Sequence, residues 1–176
     1  MQVMTHVGQK LQQIHSAGFA HRDVKPSNVI MNLQTKQWVL TDFASTAPIG
    51  AQKPLSFSIL FAPPEIAAVV AAQQRTSVVS SAADVWALGI MAWTLLTGRL
   101  PYAHGVEIMP KLLGEQIFPW EQRLDQETEY KLGILEPSVR SMLERDPTQR
   151  ATINNLLLAW RSLFQIPEAG AIPISK

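Results

Sequence analysis

Cysteine is absent from the sequence. That rules out disulfides, thiolate nucleophiles and cysteine-based zinc sites, and it says little about compartment. Charge is also sparse: 16% of residues are charged and the formal net charge is +1. Such a chain presents no basic field to nucleic acid and no polybasic patch to anionic lipid. Long apolar runs are missing too. The most apolar stretches, "IAAVVAA" (66–72) and "VWALGIMAWTLL" (85–96), fall short of the ~20 residues that span a bilayer. The opening "MQVMTHVGQKLQQIHSAG" holds no run fit for a signal peptide. There is no repeat or low-complexity tract. The expectation is an intracellular protein with no membrane span, cytoplasmic by default.

The 176 residues suit one domain with a short tail, and 47% of them are apolar. A chain of this length can bury a sizeable core. Val3, Val7, Leu11 and Ile14 recur at helical spacing over 1–17, and Gly18 can end that helix. Residues 19–28 read as a polar loop. "VIMNL" (29–33) and "WVLTDF" (38–43) are β-rich runs around "QTKQ", which reads as a hairpin. Residues 44–64 read as a long loop, and such a loop in a compact domain is usually functional. A short helix over 65–73 and the polar "QQRTSVVSSA" follow. Residues 83–97 are apolar almost all round, the mark of a central helix. Trp86 and Trp93 on it are expected in the core. Further helices are expected near 105–116, 128–144 and 151–164, with Pro137 and Pro147 as starting points. His6, His15 and His104 lack a partner at ligand spacing and read as surface or packing residues. The tail from 165 reads as weakly docked.

The polar loop carries the chemistry. In "HRDVKPSN" (21–28), Asp23 is a carboxylate able to accept a hydroxyl proton or orient the hydroxyl. Lys25 can neutralise a phosphate. The amide oxygen of Asn28 suits Mg²⁺, which prefers oxygen donors. Asp42 ends the second hairpin strand, so the hairpin returns it beside Asn28, and the pair can share a metal. Phosphoryl transfer requires parts of this kind, because its catalysis is mainly positioning and charge stabilisation.

These residues resemble a known family. "HRDVKPSN" is similar to the protein-kinase catalytic loop, His-Arg-Asp-x-Lys-Pro-x-Asn. "TDFA" resembles Asp-Phe-Gly, and "APPE" (62–65) resembles Ala-Pro-Glu. "ADVWALG" (83–89) looks like the central-helix motif of the large lobe, and "RDPTQR" (145–150) like the late arginine motif. The five stand in the family's order and nearly at its spacing. The resemblance, over 1–164, implies a mainly α fold: a kinase-like C-terminal lobe with a small β-hairpin carrying the metal site. It implies ATP and Mg²⁺ as cofactors and protein Ser/Thr as substrate. Asp23 would be the catalytic base, with Lys25 on the transferring phosphate. Asn28 and Asp42 would hold Mg²⁺, and Ile30 would lie under adenine. His21 and Phe43 would align the loop with the metal site. Asp84 would anchor the catalytic-loop backbone, and Glu65 and Arg150 would form a buried ion pair. Arg22 precedes the base, as in kinases switched on by phosphorylation, and Ser45, Thr46, Ser56 and Ser58 are candidate phosphosites for it. Ser58 also matches the family's substrate-sensing threonine, and Phe61 its tyrosine.

The match has three departures. Ala44 stands where the family has glycine, which takes positive φ more readily. The stretch 66–82 is longer than usual and has no assigned role. The nine glycines include no Gly-x-Gly-x-x-Gly, and no Val-Ala-x-Lys strand occurs. The nucleotide-binding lobe is therefore expected from the same gene or another chain, and the 176 residues alone are expected to have little activity. The alternative reading is a protein-binding module without catalysis.

Overall fold

The computed structural model describes residues 2–101 and 126–164. Helix α1 (Gln2–Ser16) buries Met4, Val7 and Leu11 along one stripe. It ends where Gly18 takes φ +83°, a left-handed turn that glycine enters without steric cost. Helix α3 (Ser81–Thr97) is the axis of the core. The Ser80 hydroxyl caps it by accepting from the Ala82 amide, and Gly98 closes it at φ 68°. Every residue from Asp84 to Trp93 is buried, as the all-round apolar pattern predicts, and Trp86 and Trp93 are among them.

Helix α4 (Gln126–Met142) packs along α3. A Cβ added at Gly89 would lie 2.9 Å from both Leu143 and Met142, so the helices approach too closely there for any side chain. Helix α5 (Ile153–Phe164) turns Ile153, Leu156, Leu157 and Trp160 inward, and Gly8 of α1 admits Trp160 and Leu157. Pro137 lies inside α4 instead of starting a helix. One lost backbone bond is a smaller effect than the packing of Leu135, Val139 and Met142 in the core. The predicted helix over 105–116, His104 and the tail lie outside the described residues.

The expected hairpin forms from β2 (Val29–Asn32) and β3 (Gln37–Leu40), with Val29 opposite Leu40. It is not alone. Strand β1 (Phe19–Ala20) pairs with β4 (Ala47–Pro48), and β5 (Gln52–Pro54) pairs with β6 (Thr76–Val78). Among the described residues there are thus three two-stranded sheets where the sequence pointed to one. The stretch 44–64 is therefore not a featureless loop, and the polar stretch after α2 (Pro64–Ala71) contains a strand. No helix among the described residues is long and apolar enough to cross a membrane.

Candidate active site

Asp84 organises the loop that follows β1. Its carboxylate is buried at the first turn of α3 and accepts from the His21 amide at 2.7 Å, the Arg22 amide at 2.7 Å and His15 Nε2 at 2.8 Å. Arg22 has φ 71°, a conformation that costs a non-glycine residue about 1–2 kcal/mol. The two charge-assisted backbone bonds to Asp84 offset that cost. The turn they impose brings Asp23 to the surface side of the loop while His21 and Val24 stay buried.

His21 ties the loop to the hairpin. Its Nδ1 faces the Asp23 amide at 3.3 Å and its Nε2 faces the Thr41 carbonyl at 3.0 Å. The amide can only donate and the carbonyl only accept, so the proton sits on Nε2. The ring meets Phe43 edge-on at 5.2 Å.

Asp23 is held from three sides. Lys25 Nζ stands 2.7 Å from Oδ2, Asn28 Nδ2 donates to the same oxygen at 3.0 Å, and the Ser58 hydroxyl donates to Oδ1 at 2.8 Å. Lys25 also donates to Ser58 Oγ at 2.9 Å. Burial alone would raise the Asp23 carboxyl. The bonds from Lys25, Ser58 and Asn28, with the Lys25 charge, outweigh it and hold the group below the ordinary carboxylate range. The site thus presents a stably ionised carboxylate beside an ammonium.

Asn28 ends a single 3-10 turn over Pro26–Asn28. Its carbonyl accepts from the Thr41 amide at 2.8 Å and the Thr41 hydroxyl at 3.0 Å, so the residue before Asp42 is stitched to Asn28. The Asn28 side chain spends its nitrogen on Asp23, at the backbone and the carboxylate. Its amide oxygen is left for another donor or a cation. Asp42 is exposed, with φ 60° and Oδ1 accepting from the Ala44 amide at 3.3 Å. The left-handed residue is therefore Asp42, and φ at Ala44 is not positive. The steric objection to alanine does not arise in this conformation, because its neighbour makes the turn. Ile30 is exposed on β2.

The remaining candidates fall into two groups. Glu65 and Arg150 meet in a bidentate pair. The loop hydroxyls make their bonds elsewhere than to Arg22. Ser45 and Ser56 bond each other at 2.6 Å, Ser58 serves Asp23 and Lys25, and Thr46 Oγ1 is buried without a partner. Arg22 instead donates to the carbonyls of Ser45 and Pro54, and burial lowers its pKa, opposed by the Asp84 charge. His15 and His6, expected as surface or packing residues, both make specific bonds: the His15 ring bonds Asp84, and His6 Nδ1 accepts from the Trp38 amide at 3.1 Å. No sequence signal marks either partner, since each lies more than thirty residues away and is met only through the fold.

The family model described as "Protein kinase domain" matches residues 1–160. Human MAP kinase-activated protein kinase 2 is 28% identical over 165 residues, covering 89% of this chain and 39% of that protein. A probable serine/threonine-protein kinase of Dictyostelium discoideum is 33% identical over 153 residues, covering 85% of this chain and 28% of that protein. Mouse ribosomal protein S6 kinase alpha-2 is 28% identical over 159 residues, covering 88% of this chain and 21% of that protein. The chain spans less than half the length of these curated relatives.

Proposed function

The chain belongs to the protein kinase domain family, and on that premise we propose that it carries the phosphoryl-transfer residues of an ATP-dependent serine/threonine protein kinase. The observation that carries this reading is the bonded set of Asp23, Lys25 and Asn28 on one loop with Ser58 of the 44–58 segment. Asp23, kept ionised, orients the acceptor hydroxyl and takes its proton as the oxygen commits to the phosphorus. Lys25 places its charge beside the transferring phosphate. The amide oxygen of Asn28 and the carboxylate of Asp42 form a hard oxygen donor set that suits Mg²⁺. Mg²⁺, when bound, neutralises the charge of the ATP phosphates. Ile30 offers an exposed apolar face to the adenine ring.

On this reading residues 1–164 correspond to the large lobe of such a kinase. The roof over ATP then comes from elsewhere in the same gene product or from another chain. The substrate is a protein hydroxyl, and the protein works inside the cell.

The test is phosphate transfer from labelled ATP to a Ser/Thr peptide mixture by the natural polypeptide that contains this chain. Asp23→Asn should lower kcat by on the order of 10²- to 10⁴-fold. Transfer that survives the substitution unchanged sinks the catalytic assignment. The binding-module alternative rested on Ala44 and on the missing nucleotide-binding motifs; with the positive φ at Asp42, the second is what still favours it. It would gain if the unmodified protein transfers no phosphate yet captures a protein partner that Asp23→Asn also captures.

A further inference from the structure

The stretch 66–82 found no role in the sequence, and the structure gives it a partner. Strand β5 is exposed at all three of its residues, so no core holds it in place. Its support is the ladder with β6, in which Gln52 faces Val78, Lys53 faces Ser77 and Pro54 faces Thr76. The ladder is extended at both ends. The Leu55 amide donates to the Arg75 carbonyl at 3.0 Å, the Val79 amide to Ala51 at 2.9 Å, and the Gly50 amide to Val79 at 2.9 Å. A side-chain bond crosses it, from Gln52 Nε2 to Thr76 Oγ1 at 2.8 Å.

Strand β6 is itself anchored. Ser77 and Val79 are buried, and Val79 packs with Ala20 of β1 and Ala47 of β4 in a small apolar cluster apart from the main core. The segment over 44–58 is thus pinned at successive points: by β1 at Ala47–Pro48, by β6 at Gln52–Pro54, and by Arg22 at the Ser45 and Pro54 carbonyls. Ser58, at its end, lies between Lys25 and Asp23. The hydroxyls of Ser45, Ser56 and Ser58 are already bonded within the protein, and Arg22 already ties the segment down through the Ser45 and Pro54 carbonyls.

We propose that the 66–82 segment is a clamp that holds residues 44–58 in their site-forming arrangement through β6 and Val79, with no phosphate on Ser45, Thr46, Ser56 or Ser58. The inference rests on the phosphoryl-transfer reading for its consequence, which is a site ordered without a phosphorylation step. Its geometry does not depend on that reading. Residues Ser77 and Val79 act as positioning residues, because they hold Ser58 beside Asp23 without touching a substrate.

Amide hydrogen exchange on the natural polypeptide, before and after phosphatase treatment, tests the clamp. The amides of Gly50, Leu55 and Val79 should exchange slowly and at the same rate in both samples. Ser77→Pro removes a ladder donor and should speed exchange over 49–55 on the order of tenfold or more, leaving α1 and α3 unchanged. Should Ser77→Pro unfold the whole domain, Val79→Ala decides: it thins the anchoring cluster and should speed the same amides by a smaller factor. Loss of protection on phosphatase treatment overturns the proposal. So does unchanged exchange over 49–55 in a folded clamp variant. Exchange needs no catalysis, so a failed transfer assay with the clamp intact would count against the kinase reading alone.

Discussion

Arg150 and Glu65 lie 85 residues apart and meet through two parallel bonds, Nη1 to Oε1 at 2.7 Å and Nη2 to Oε2 at 2.9 Å. The Arg150 side chain is 0% exposed and that of Glu65 26%. The guanidinium also donates to the carbonyls of Ala82, Glu144 and Arg145 and lies 5.0 Å from the Trp86 ring centroid. It thereby joins α2, the start of α3 and the turn after α4. Arg150→Met strips the donor from three carbonyls and leaves a half-buried carboxylate unpaired. We expect it to cost about 3–5 kcal/mol in urea unfolding. Glu65→Gln keeps the shape and part of the bonding, and should cost about 1–2 kcal/mol. Equal, small costs for both would show that the pair contributes little.

Asp84→Asn should loosen the catalytic loop from beneath. The carboxylate accepts three donors. An amide in its place turns an NH₂ group toward one of them and supplies no charge. The left-handed turn at Arg22 then loses its compensation. The expected loss is about 2–3 kcal/mol in chemical denaturation, with faster exchange of the His21 and Arg22 amides. His15→Ala removes only one of the three bonds and should cost less than Asp84→Asn. The reverse order would place the anchor at His15.

What could be read from the sequence followed the strength of local signals. The stripe of α1, the all-round apolar α3 and the β2–β3 hairpin each carry a period that one stretch of chain displays. The candidates Asp23, Lys25, Asn28 and Asp42 stood out because their types cluster in two short motifs; the structure bonds Asp23 to Lys25 and Asn28, and ties Asn28 to Thr41, the residue before Asp42. Strands β4, β5 and β6 were not legible. At two to three residues each they show no alternation, and β5 is exposed throughout. Their pairing is decided by where β1 and α3 put them. The partnership of His15 with Asp84 spans 69 positions, so only the packed fold creates it. Alanine at 44 looked costly because a motif position was taken to need positive φ, whereas the backbone places that φ at Asp42.

Gly89→Ala probes the closest helix contact. The added Cβ would stand 2.9 Å from Leu143 Cγ and Cδ2 and from Met142 Cβ. The Met142 atom cannot swing away, because it sits next to the backbone. Overpacking of this kind costs about 1–3 kcal/mol. Leu143→Ala in the same chain should recover part of that loss, so the double variant is less unstable than the sum of the single ones. Strict additivity in thermal or urea unfolding would contradict the contact.

The Asp23 carboxylate offers a pH test that separates positioning from base strength. Burial would raise its pKa. The hydrogen bonds from Lys25, Ser58 and Asn28 and the Lys25 charge more than cancel this, so the folded value lies below the ordinary 3.8. A depressed carboxyl contributes stability that is fully present above the unfolded value and is lost as pH falls through the folded one. Asp23 should therefore stay ionised through the neutral and mildly acidic range. Any loss of transfer between pH 5 and 7 must then come from another group. A carboxylate this acidic is a weak base in the ground state, so its contribution is to orient the acceptor hydroxyl and to take the proton late. Ser58→Ala deletes one donor and should move the carboxyl up toward its ordinary value. Lys25→Met deletes a bond and a charge together and should move it further. Carboxyl carbon chemical shifts followed by NMR against pH give the three values directly. An Asp23 that titrates at or above the ordinary value in the unmodified protein, or that neither substitution raises, would mean that Lys25 and Ser58 do not hold it as the distances indicate.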